Sequence, residues 1–217
     1  MFDPSGYPAL VADFSHWQGR IDWPAVAVSG LCSVAVIKAT EGANGVDPRF
    51  DDNRRGAIDN GIRWLPYAFL SAEAPELQAR HFLDVTGIDG IPAALDWERS
   101  GVPARVMEAF GTVIADATGR LPLAYYGLYP PDAVTDTIAT WPRWLPEYAA
   151  APRLPPWDGT TDDWSSVWLL WQYTAKGRIP GVPGPVDRSR IACPIDDFLA
   201  WYDTGQLPAV IPAIPAA

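Results

Sequence analysis

The feature that most constrains this chain is an alternation. Short apolar runs recur along it, separated by segments with helical spacing that end in glycine. Residues 10–15 read as a strand closing on an acid. Asp22 then serves as an N-cap, with Pro24 in the first turn of a short helix that stops at Gly30. Residues 33–39 form a nearly continuous β-branched run, the pattern of a strand covered on both faces. A helix opened by Asp47-Pro48 and closed by Asn60-Gly61 leads to a third strand at 63–70. An amphipathic helix at 75–85, with Leu77, Phe82 and Leu83 inward, precedes a fourth strand at 92–98. A helix at 103–117, apolar at Val106, Phe110, Val113 and Ile114, leads to a strand at 121–126 and a helix at 130–139. Beyond that the alternation weakens. Strands are expected at 143–148 and 167–174, loops at 152–163 and 176–185, an eighth strand from Val186-Asp187, and a closing helix at 195–202. Strands that alternate with helices run parallel, and eight of them predict a closed α/β barrel, TIM-like but irregular, with reduced helices in its C-terminal half. The barrel is assigned to residues 1–206 and a Pro/Ala-rich tail or linker to 207–217.

Such barrels gather their chemistry at the C-terminal strand ends. Polar residues fall there on nearly every expected strand: Asp13, Glu41, Tyr67, Asp96 with Glu98, Tyr126, Glu147, Gln172 and Asp187. Side chains alternate along a strand, so Asp96 and Glu98 share a face about 6.5 Å apart while Trp97 faces the other way. Carboxylates so spaced can flank one scissile glycosidic bond, and their repulsion raises one pKa relative to the other. The plainer alternative is a strand end whose acids cap a helix or pair with Arg99. Acids converging from several distant strands favour the chemical reading. Trp144, Tyr148 and Trp171, with Tyr67 and Tyr126, are candidate sugar-stacking aromatics in a chain with 11 Trp and 8 Tyr; Gln172 fits a strut and Glu41 either lines the groove or pairs with Lys38 or Arg63.

The formal net charge of −10 argues against nucleic acid as a partner, which demands a basic face. No apolar run is long enough to span a bilayer, and Met1-Phe2-Asp3-Pro4 lacks the start of a signal peptide. A chain made in the cytoplasm, with no membrane insertion, is expected. Two histidines and two distant cysteines give no metal-ligand spacing, so neither a metal nor another cofactor is expected. Cys32 and Cys193 are read as buried thiols.

Five motifs, in order, resemble glycoside hydrolase family 25, the lysozymes that cut bacterial peptidoglycan. They are Asp13-Phe14-Ser15-His16-Trp17-Gln18-Gly19-Arg20-Ile21-Asp22-Trp23, Ile37-Lys38-Ala39-Thr40-Glu41-Gly42, Asp96-Trp97-Glu98, Trp171-Gln172-Tyr173, and Gly181 through Val186-Asp187. The resemblance covers roughly residues 10–200. It implies an irregular β/α barrel that hydrolyses the β-1,4 bond between N-acetylmuramic acid and N-acetylglucosamine, with a peptidoglycan glycan strand as its partner. Glu98 would be the general acid and Asp96 its electrostatic or substrate-orienting partner, with Asp13 and Asp187 completing the cluster. A monomeric phage endolysin, released from the host cytoplasm by a holin-type route, fits the expected absence of a leader. The rival expectations are a non-catalytic wall-sugar-binding barrel, a carboxylate-ligated metallohydrolase, and a glycosidase acting on a chitin-like polymer.

Overall fold

The computed structural model describes residues 6–206, so the expected tail at 207–217 lies outside the described residues. The strands, in chain order, are β1 (Val11–Phe14), β2 (Val34–Glu41), β3 (Gly45–Val46), β4 (Arg63–Phe69), β5 (Ala94–Asp96), β6 (Leu123–Tyr125), β7 (Arg143–Pro146), β8 (Leu170–Gly177) and β9 (Val186–Ile191). The helices are α1 (Trp23–Ser29), α2 (Phe50–Asp59), α3 (Pro75–Thr86), α4 (Ala104–Thr118) and α5 (Ile195–Thr204). Pairing runs β1-β9-β8-β7-β6-β5-β4-β2 and returns from β2 to β1, which closes the ring; β3 is a short hairpin arm on β2. The barrel is therefore as expected, with four α-helices in its first half and, among the described residues, only α5 after β6.

Period-two alternation sorts the strand side chains into two cores. Val11, Val34, Val36, Leu65, Ala94, Leu123 and Leu170 share one cluster, which fills the ring. Ala12, Phe14, Ala35, Ile37, Leu95 and Ala124 pack instead with Val26, Ala57, Phe82 and Phe110 of the outer helices. Helix α5 is tied to the beginning of β4: Tyr202 Oη donates to the Trp64 carbonyl at 2.6 Å and Arg63 pairs with Asp203 at 3.1 Å. Local signals behave as their chemistry requires. Asp22 accepts from the Ala25 amide at 3.2 Å to cap α1, and Gly30 ends that helix in the left-handed region at φ 66°.

Three expectations need correction. The strands are not all parallel: β9 runs antiparallel to both β8 and β1. Residues 178–185 hold no helix to carry the chain back across the sheet, and a direct return reverses strand direction. The helix expected at 130–139 is reduced to a 3-10 turn at Ile138–Thr140. Thr135 Oγ1 takes the Ile138 amide, and Asp132 is drawn away to accept from the Ala104 amide at the start of α4. Leu77 is 54% exposed, because α3 buries Gln78, Ala79, Phe82 and Thr86. Gln78 replaces an apolar contact with hydrogen bonds to Ser71 and Glu73.

The outer core is closely fitted where α4 meets the β6–β7 connection. A Cβ at Gly111 would stand 2.2 Å from Cη2 of the buried Trp141 ring. Gly111→Ala should therefore lower the melting temperature by several degrees. Overpacking costs about 1–3 kcal/mol and the helix-propensity gain of alanine is about 1 kcal/mol, so the clash wins. A thermal melt showing a higher midpoint would mean that Trp141 swings aside freely.

Candidate active site

The C-terminal ends of the strands surround a cleft of about 220 Å³. It is lined by Asp13 from β1, Lys38 from β2, Tyr67 and Phe69 from β4, Asp96 and Glu98 at and just past the end of β5, Tyr125 from β6, Trp144 from β7, Gln172 from β8, Asp187 from β9, and Trp17 and Tyr148 from the loops. On the first strands these positions continue the inward parity of Val11, Val34, Val36, Leu65 and Ala94, so apolar side chains fill the ring below and polar ones occupy its mouth. Asp187 arrives by a different route. Because β9 is antiparallel, the beginning of that strand lies beside the end of β1, and Asp13 and Asp187 stand directly opposite each other. Trp97 faces outward, with its indole N–H on the Val102 carbonyl at 2.8 Å, which leaves Asp96 and Glu98 together on the cleft side.

The four acids sit in different surroundings. Asp13 accepts from Gln172 Nε2 at 2.9 Å; burial, then the charge and hydrogen bond of Asp187, push its pKa well above the ordinary carboxylate value. Burial also raises Asp187, while its hydrogen bond with Asp13 lowers it, so the two carboxyls titrate as a pair. Burial, then the Glu98 charge, raises Asp96 strongly against the opposing pull of Lys38; its Oδ1 is buried with no hydrogen-bond partner among the described residues. Glu98 is the most exposed of the four, and burial followed by the Asp187 charge raises its pKa too. Gln172 is a strut: its Oε1 accepts from Tyr125 Oη at 3.0 Å and Tyr148 Oη at 2.8 Å while its amide holds Asp13. Trp144 lines the wall with its indole N–H on Ser189 Oγ at 2.9 Å.

The structure thus brings Asp13, Asp96, Glu98, Asp187, Tyr67, Trp144, Tyr148 and Gln172 to one cleft. Three other candidates are placed elsewhere. Tyr126 is 1% exposed and packs in the outer core between Trp97 and the Arg143 guanidinium, so no sugar reaches it. Trp171 is also 1% exposed, among Trp168 and Tyr173 with its indole N–H on the Glu147 carbonyl. Each lies one residue from a cleft residue, Tyr125 or Gln172, and so on the opposite face. Glu41 stands beside the cleft, bridging Lys38 at 2.8 Å and Arg99 at 2.5 Å; these cations lower its pKa. Sequence reasoning missed Trp17, Lys38, Phe69 and Tyr125. The parity of Val34 and Val36 would have found Lys38, that of Leu65 would have found Phe69, and that of Leu123 would have found Tyr125. Cys32 and Cys193 are free and buried, and burial pushes each thiol up to about 12.

Known proteins share both sequence and architecture with this chain. Lysozyme M1 of Streptomyces globisporus is 32% identical over 211 residues, which span 87% of this chain and 68% of that protein. The uncharacterized protein YegX of Escherichia coli strain K12 is 30% identical over 214 residues, 92% of this chain and 75% of its own. The crystal structure of the bacterial lysozyme from Streptomyces coelicolor superposes with a TM-score of 0.74 at 28% identity, covering 88% of this chain and 95% of that one. The sequence model of glycosyl hydrolases family 25 matches residues 12–182, most of the barrel, and the chain belongs to that family.

Proposed function

We propose that the protein is a muramidase that hydrolyses the β-1,4 bond between N-acetylmuramic acid and N-acetylglucosamine in peptidoglycan. The observation that carries this reading is the convergence of Asp13, Asp96, Glu98 and Asp187, from β1, β5 and β9, on a cleft walled by Trp17, Tyr67, Tyr125, Trp144 and Tyr148. Family membership and the lysozyme relatives support the same activity.

Glu98 is assigned the general acid. Its raised pKa keeps the carboxyl protonated beyond the usual glutamate range, and its exposure places that proton where a leaving oxygen enters. Asp96 lies deeper, with Oδ1 unspent. An acceptor so placed suits the N–H of a 2-acetamido group, which it would hold in position as the bond breaks. The Asp13–Asp187 pair stands opposite, with both carboxyls raised by burial, so it holds a proton more readily than an ordinary carboxylate pair does. Gln172 fixes Asp13 and the two tyrosine hydroxyls together. Mass analysis of reduced muropeptides tests the reaction: the new reducing ends should be muramic acid. Reducing ends on N-acetylglucosamine, or faster release from chitin than from cell walls, would overturn it.

Trp17 is 80% exposed at the cleft edge, tilted against His16 with ring centroids 4.6 Å apart. We assign it as a platform for a sugar ring beyond the scissile bond. Trp17→Ala should raise KM on purified cell walls about tenfold, worth about 1.4 kcal/mol, with kcat nearly unchanged. Turbidity clearing over a range of wall concentrations separates the two constants, and an unchanged KM removes Trp17 from the site. The setting we propose is that of an endolysin, made in a host cytoplasm and acting on the wall after release. Its polymer lies outside the membrane, and no described helix is long and apolar enough to cross one.

A further inference from the structure

We infer that the groove between the β1–α1 loop and α2 is a second binding site, taking a carboxylate of the peptide stem that muramic acid carries in peptidoglycan. The inference rests on the muramidase reading above and adds a part of the substrate that the cleft itself does not hold. Two adjoining cavities of about 410 and 510 Å³ share Arg20, Ile21 and Trp23. The first is also lined by Asn53, which is 2% exposed and whose Nδ2 is buried without a hydrogen-bond partner among the described residues. The Asn53 backbone amide is already used, on the Arg49 carbonyl, as the first turn of α2 requires. A buried amide left unpaired is costly, and Asn53 stands in the wall of this cavity.

The remaining lining points to an anion. Arg20 is exposed, and among the described residues it makes no hydrogen bond or ion pair. Helix α2 begins at the groove with no side-chain cap, and the two acids of its first turn, Asp51 and Asp52, are paired with arginines of their own helix start. The carboxylates present are already paired: Asp52 with Arg49 of the same lining at 3.1 Å and with Arg55 at 2.9 Å, Asp22 with the Ala25 amide at 3.2 Å. What is left unpaired is the exposed Arg20 guanidinium and, in the wall behind it, the Asn53 amide N–H, the donor types that hold a carboxylate.

Reach identifies the source of that carboxylate. Arg20 follows Trp17, a wall of the cleft, by three residues, so their Cα atoms are at most about 11 Å apart. A peptide stem of three to five residues spans about 10–17 Å when extended. It can therefore leave a sugar in the cleft, cross the turn His16–Gln18 and enter the groove. That turn is a fixed wall: the Ser15 amide donates to Gln18 Oε1 at 2.8 Å, and Ser15 Oγ accepts from the Trp17 amide.

The test compares intact cell walls with the same glycan strands stripped of their stems by an amidase. Arg20→Ala should raise KM on intact walls about fivefold, Arg20→Glu more, and neither should change KM on stripped strands or kcat on either polymer. Wild-type protein should also bind intact walls more tightly than stripped strands. Variants indistinguishable from wild type on intact walls overturn the site, and an equal rise on both polymers overturns its assignment to the stem. Wild-type protein that cleaves neither polymer removes the muramidase reading itself, which is a different outcome from either.

Discussion

Glu98→Gln should slow cell-wall lysis by about a thousandfold while leaving the fold intact, because a positioned general acid contributes roughly 10²–10⁴ in rate. Glutamine keeps the shape and loses the proton. The same substitution should change the pH profile. Burial and the Asp187 charge hold the Glu98 pKa above its ordinary value of 4.5, so the protonated, active form survives into less acidic solution and is lost as pH rises through the raised pKa. Wild-type kcat/KM should therefore fall on that side, and the residual activity of Glu98→Gln should not. Stability works against the wild type here. An acid whose folded pKa is raised destabilises the fold once it ionises, so Glu98→Gln should melt at or slightly above the wild-type temperature near pH 7. Near-normal lysis by a well-folded Glu98→Gln protein would assign the proton to another group.

Much of this site can be read from the order of residues, for physical reasons that also mark the limit. Ser33 to Ala39 announces β2 because a run rich in β-branched residues packs best on a pleated strand. Asp13 and Asp96 stand out because each follows a short apolar run, where an acid at a core-facing position needs a reason. What one residue's pattern cannot carry is direction and parity. Val186-Asp187 reads the same in a parallel as in an antiparallel strand, and only the missing crossover helix after β8 decides it. The consequence is functional, since an antiparallel β9 is what sets Asp187 against Asp13. Tyr125 and Tyr126 are adjacent and chemically alike, and a shift of one residue exchanges the cleft wall for the outer core. Leu77 shows the converse case: its apolar character fits the α3 stripe, but Gln78 takes the inward place through three hydrogen bonds. Trp17 belongs to a quoted motif, yet nothing local distinguishes an exposed platform from a packed ring.

Asp96→Asn should separate activity from stability more sharply than any other substitution at the cleft. Asparagine retains the size of the side chain but is a weaker acceptor and puts an amide NH₂ where a carboxyl oxygen would position the substrate, so lysis should fall by about a hundredfold or more. Folding should gain. Burial and the Glu98 charge raise the folded pKa of Asp96 well above 3.8. Between its unfolded and folded pKa values the folded state holds a proton that the unfolded chain lacks, so wild-type stability declines as pH rises through that interval. Above it the penalty is present in full, and below the unfolded value it vanishes. Asparagine never incurs it. The variant should therefore melt higher than wild type at pH 7, by about 2–4 °C for each kcal/mol recovered, and the two midpoints should converge as pH falls below about 4. Paired melts across that range decide the matter. A variant that melts lower at pH 7 would show that Lys38 and Arg99 stabilise the ionised Asp96 more than burial destabilises it, and its pKa would then lie below 3.8 rather than above.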